Sequence, residues 1–88
     1  MKSRTTRRFW GLFESLPDDV QDRARKAYEH FREDPAHPGL RFKRVDDDEP
    51  LYSVRIGIHY RAVGLLKSDT ITWFWIGSHT DYERLLSS

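Results

Sequence analysis

Residues 51–82 read LYSVRIGIHYRAVGLLKSDTITWFWIGSHTDY, from Leu51 to Tyr82. Tyr52, Val54 and Ile56 alternate with Ser53 and Arg55, the period-two pattern of a half-buried strand. Gly57-Ile58-His59 supplies a turn, Tyr60 to Leu66 returns, and Lys67-Ser68-Asp69 turns again. Thr70 to Gly77 is a last extended run, rich in aromatic and β-branched residues. The stretch predicts three consecutive antiparallel strands. Pairing Arg55 with Arg61 across the first turn and Val63 with Trp73 across the second fixes, by parity, which side chains share a face. Tyr52, Val54, Ile56, Ala62, Gly64, Phe74 and Ile76 then point one way, an apolar surface that needs cover. Ser53, Arg55, Arg61, Val63, Trp73 and Trp75 point the other way.

The cover lies upstream. Thr5 or Thr6 can cap a helix of about ten residues whose Phe9, Leu12, Phe13 and Leu16 recur at helical spacing. Pro17 breaks it and suits the first position of a second helix, where Asp18 and Asp19 favour the positive end of the helix dipole. Val20, Ala24, Ala27, Tyr28 and Phe31 make one apolar stripe on that second helix, and charged residues fill its other side. Pro35, Pro38 and Gly39 end it, and a short strand from Leu40 to Val45 follows, anchored by Phe42. The predicted architecture is a single α+β domain over residues 1–88: an N-terminal helical hairpin packed on one face of a small antiparallel β-sheet. His79 to Leu86 closes it as a short C-terminal helix or tail.

An 88-residue chain buries only about 60% of the surface its unfolded form exposes, which leaves little room for a deep enclosed pocket. Net charge is +1, which does not by itself mark a nucleic-acid binder. Its distribution is more telling. Asp46-Asp47-Asp48-Glu49 gathers four of the acids, while residues 1–10 hold Lys2, Arg4, Arg7 and Arg8 and no acid, a candidate anion-facing end. Absence of cysteine excludes disulfides and thiolate metal sites. No apolar run reaches the roughly 18 residues of a membrane span, so a soluble cytoplasmic protein with no membrane partner is expected.

Two arginines directly opposite on paired strands repel, by roughly 0.2–1 kcal/mol. Two readings are open. In one, Arg55 and Arg61 clamp phosphates, which the planar guanidinium fork fits, and Trp73 and Trp75 stack on exposed bases. In the other, the arginines pair with the Asp46–Glu49 loop or another carboxylate, and the tryptophans merely cover the sheet. Lys43 and Arg44 extend the positive surface, and one of them is expected to face the same way as Arg55. His79 and Tyr82 stand just past the last strand, and His79 can move protons near neutral pH. A solvent-exposed histidine and a packing tyrosine are the plainer alternatives. His30, His37 and His59 lack metal-ligand spacing, so neither a metal nor a cofactor is expected.

LPDDV, FREDPAHPGLRFKRV, YSVRIGIHYRAV and ITWFWIGSHTDY, taken in order, resemble the RelE/ParE superfamily of small bacterial toxins from type II toxin–antitoxin systems. The likeness spans about residues 6–83. It implies a cognate antitoxin partner and, for the members that cut mRNA in the ribosomal A site, attack by a ribose 2′-hydroxyl on its neighbouring phosphate. By this resemblance Arg61, His79 and Tyr82 occupy catalytic positions and Arg55 a substrate-placing one, while Lys43, Arg44, Trp73 and Trp75 are added to the substrate face by the charge and face reading above. Two positions depart from the pattern. Ser53 stands where a second lysine is found, and only Met1 to Arg4 is available for the strand that usually precedes the hairpin, so that strand is expected to be stunted or missing. The ParE branch shares the fold, poisons DNA gyrase and lacks the nuclease set, which leaves a gyrase-inhibiting toxin without catalysis, or a non-toxic relative that only binds an antitoxin, as the alternatives.

Overall fold

Thr6 ends the first extended segment because its Oγ1 accepts from the Phe9 N–H at 3.1 Å, capping the helix that follows. In the computed structural model, which describes residues 1–87, that segment is a strand, β1 (Lys2–Thr5), and the helix is α1 (Arg7–Glu14). Pro17 precedes α2 (Asp18–Glu33), and Asp18 and Asp19 sit in its first turn as expected. A 3-10 turn (Pro38–Leu40) leads to β2 (Lys43–Arg44), β3 (Leu51–Ile56), β4 (Tyr60–Lys67), β5 (Thr70–Ser78) and α3 (His79–Ser87).

The sheet has five strands in the order β1-β5-β4-β3-β2. The α+β hairpin-on-sheet architecture is as expected, with one addition. β1 pairs parallel to β5, so the N-terminal strand is present and the sheet is mixed. The strand expected over Leu40–Val45 shrinks to Lys43–Arg44, because Leu40 belongs to the 3-10 turn and Arg41 takes a left-handed φ of 47°.

Arg55 faces Arg61 across the β3–β4 turn, as parity required. The β4–β5 pairing differs. Ser68 adopts a φ of 56°, which closes a two-residue turn with Lys67 opposite Thr70, one step away from the expected register. A bulge between Val63 and Gly64 then restores parity, so Gly64 faces Trp73 and Val63 faces Trp75. Trp73 therefore lies on the helix-covered face and Phe74 packs on the other, the reverse of the expected placement.

Gly64 makes room for this arrangement. A Cβ there would stand 2.8 Å from both Ile71 Cγ1 and Trp73 Cε3. On the helix side, Phe13, Ala24, Phe31, Val54, Ile56, Ala62, Ile71, Trp73 and Ile76 form the main core. Phe31 meets Trp73 edge-on at 5.3 Å and Phe42 at 5.2 Å, contacts worth about 0.5–1.5 kcal/mol each beyond their area. The opposite face is covered by α3, where Val63, Trp75 and Tyr82 form a second, smaller core. No helix among the described residues is long and apolar enough to cross a membrane.

Candidate active site on the sheet face under the C-terminal helix

The site grows from the register. Residues opposite one another on antiparallel strands share a face, so Lys43, Ser53, Arg55, Arg61, Val63 and Trp75 lie on the face that α3 crosses. Lys43, opposite Ser53, is thus the basic residue of β2 that shares the face of Arg55. Arg44 is not. Its Nε and Nη2 donate to the Asp46 and Asp47 carbonyls at 2.9 and 3.3 Å, tying down the acidic loop.

Helix α3 begins on the edge of this face because Ser78 Oγ accepts from the Asp81 N–H, and the His79 N–H donates to the His59 carbonyl at 2.7 Å. One turn of helix then carries Tyr82 over the sheet. The Arg61 guanidinium carbon lies 5.4 Å from the centroid of the Tyr82 ring, and the His79 ring stacks on Tyr82 at 5.9 Å. Tyr82 is buried, and its hydroxyl donates to Ser53 Oγ at 3.4 Å. The residue at the departing lysine position thus serves as the anchor for the tyrosine. Arg61 and His79 thus both pack on the Tyr82 ring.

His79 Nε2 lies 2.8 Å from Glu83 Oε1, with the His79 side chain 48% exposed. An ionised carboxylate only accepts, so Nε2 carries a proton, and in the neutral form of the ring the lone pair falls on Nδ1. The contact fixes the His79 ring orientation through Glu83. Glu83 was absent from the expected set, although its i,i+4 spacing from His79 on a helix was the signal that could have found it.

Arg61 carries the clearest electrostatic anomaly. Its Nη1 is buried and has no hydrogen-bond partner, a condition that costs about 1–3 kcal/mol and more for a charged group. Neither Arg61 nor Arg55 pairs with a carboxylate among the described residues. Arg55 Nε instead donates to the Gly57 carbonyl at 2.9 Å. The pairing of these two arginines with the Asp46–Glu49 loop is therefore not found.

The two tryptophans do not join the site as base-stacking platforms. Trp73 is 4% exposed on the opposite side of the sheet, where its Nε1 donates to Ser3 Oγ at 3.1 Å. Trp75 is 7% exposed beneath Tyr82, with ring centroids 6.5 Å apart. The bulge explains the first placement and the cover of α3 the second. Among the described residues no group of three His, Cys, Asp or Glu side chains could hold a metal ion.

Known proteins share this fold. The chain superposes on the RelB–RelE antitoxin–toxin complex from Methanococcus jannaschii with a TM-score of 0.75 at 16% identity, covering 93% of this chain and 96% of that one. YafQ from E. coli strain BL21(DE3) gives 0.73 at 5% identity over 92% and 96% of the two chains. The YoeB/ParE toxin from Agrobacterium tumefaciens gives 0.70 at 15% identity over 90% and 99%. No curated protein matches the chain. A sequence profile described as the ParE-like toxin domain matches residues 18–84, a span that runs from the start of α2 through β2–β5 into α3 and includes Arg61, His79 and Tyr82, and the chain belongs to that family.

Proposed function

We propose that the chain is the toxin of a toxin–antitoxin system and acts as a metal-independent endoribonuclease on mRNA in the ribosomal A site. The observation that carries this reading is the buried, unpartnered Arg61 Nη1, whose guanidinium packs on the same Tyr82 ring as the Glu83-bonded His79. A phosphate oxygen would supply the missing acceptor. In the proposed reaction His79 Nδ1 takes the proton of a ribose 2′-hydroxyl, and the 2′-oxygen forms a bond to the adjacent phosphorus. Arg61 neutralises the charge that gathers on the phosphate oxygens. The bond to the 5′-oxygen breaks and that oxygen takes a proton from water, leaving a cyclic phosphate and a 5′-hydroxyl end. Tyr82 is a positioning residue, holding both groups while Ser53 holds it. Lys43 and Arg55 place the strand.

The partner in this reading is a cognate antitoxin whose segment covers the Arg55 and Arg61 face, in keeping with the fold's likeness to a toxin held by its antitoxin. Induction of the wild type, His79→Ala and Arg61→Ala without antitoxin, followed by mapping of transcript ends, tests the whole scheme. Cut transcripts with wild type and a fall of about 10²-fold or more in either variant are expected. Growth arrest with intact transcripts overturns it.

One observation favours a second reading. Tyr82, bonded to Ser53, lies over the Arg61 guanidinium and covers part of it, as suits a surface that binds without reacting. A ParE-type toxin that inhibits DNA gyrase would stay toxic as His79→Ala and would block supercoiling.

A further inference from the structure

Arg55 borders a second concavity. On the far side of the β3 edge a depression of about 250 Å³ is walled by α2, the 3-10 turn and the β3–β4 turn. Arg23, Lys26, His30, His37 and Arg55 line it, and no carboxylate does. Arg23 and Arg55 converge on Gly57. Arg55 Nε donates to the Gly57 carbonyl, and a Cβ on Gly57 would lie 3.5 Å from Arg23 Cδ. None of Arg23, Lys26 or Arg55 forms an ion pair among the described residues. Like charges gathered without an acid repel one another, and an anion between them reverses the sign of that interaction.

The two imidazoles narrow the class of anion. His30 and His37 stack with ring centroids 4.3 Å apart and planes 22° from parallel, while His37 Nδ1 accepts from the Gly39 N–H at 3.2 Å and so is fixed in place. Flat rings beside unpaired cations match a nucleotide, whose phosphate meets the cations and whose base meets a ring. An acidic peptide would use the cations alone.

We propose that this depression binds the phosphodiester backbone of a single RNA strand that continues past Arg55 from the Arg61–His79 face. The path of the strand rests on the endoribonuclease reading. The binding itself does not.

The test uses the full chain and a fluorescein-labelled 2′-O-methyl RNA 12-mer, which lacks the attacking hydroxyl and cannot be cut. Anisotropy titrations over a range of salt compare wild type, Arg23→Gln/Lys26→Gln and an equal-charge control, Arg32→Gln/Lys67→Gln. The first pair is expected to weaken binding about tenfold and to lower the log–log salt slope by about 1.4, while the control changes little. Equal loss in both pairs, or no loss in the first, overturns the proposal. So does retained RNA binding with lost affinity for a labelled polyglutamate peptide. Intact transcripts in cells would end the cleavage reading and leave this measurement standing. Lost binding here would leave Arg61 and His79 untouched.

Discussion

The two faces of one sheet are built on different principles. Under α1 and α2, ten buried apolar or aromatic side chains form the main cluster, and Trp73, its largest ring, also satisfies its N–H on Ser3. Under α3 the cluster is Val63, Trp75 and Tyr82, crossed by an arginine with a buried unpartnered nitrogen and a long tyrosine–serine hydrogen bond. The helix face has the packing that stability needs. The α3 face carries a buried charge without a partner, which costs stability, and under the proposed function that cost keeps a charge ready for a ligand.

The sharpest way to break this comparison is to empty the helix face. Trp73→Ala is expected to lose about 3–5 kcal/mol in urea unfolding, because a large buried ring leaves a cavity that its neighbours cannot fill. A loss below about 1 kcal/mol would mean that the helix face does not dominate. Gly64→Ala should come next, at about 1–3 kcal/mol, since its new Cβ would press on Ile71 and the rigid ring of Trp73 at 2.8 Å. A neutral Gly64→Ala would show that the bulge relaxes freely.

The α3 face should respond with the opposite sign. Arg61→Leu removes a donor whose desolvation costs about 1–3 kcal/mol and forfeits a cation–π contact worth about 0.5–1 kcal/mol. A net gain of about 1 kcal/mol is expected, together with loss of transcript cleavage. A destabilised Arg61→Leu would place Arg61 among the structural residues.

These contrasts were only partly legible in the sequence. Arg55 opposite Arg61 could be read because a turn centred on Gly57-Ile58-His59 and unbroken alternation on both strands leave one register. Across the next turn the same parity argument failed at Trp73 and Phe74 alone. A serine at φ 56° gives no glycine signal for the tight turn, and a bulge is a local backbone choice without a fixed residue signature. β1 was hidden for another reason. Lys2-Ser3-Arg4-Thr5 has no apolar alternation, and it is a strand because β5 offers an edge and Trp73 a donor. The bond from Tyr82 to Ser53 joins residues 29 apart, a distance that local pattern cannot span.

Glu83 separates the two principles most finely. Its bond to His79 lies at the surface, with side-chain exposures of 48% and 68%, so solvent screening holds its contribution to stability within about 0.5 kcal/mol. Glu83→Gln should therefore leave unfolding almost unchanged. Under the proposed endoribonuclease reaction its effect belongs to chemistry. A glutamine can present either an oxygen or an amide to Nε2, so the ring is no longer held with Nδ1 free, and part of the histidine population carries its proton on the wrong nitrogen. Cleavage should fall, but by less than the roughly 10²–10⁴-fold expected for His79→Ala, which removes the base itself. Equal activity for Glu83→Gln and wild type, measured on the same transcripts, would reduce the pair to a surface contact and leave Arg61 and Tyr82 as all that distinguishes this face.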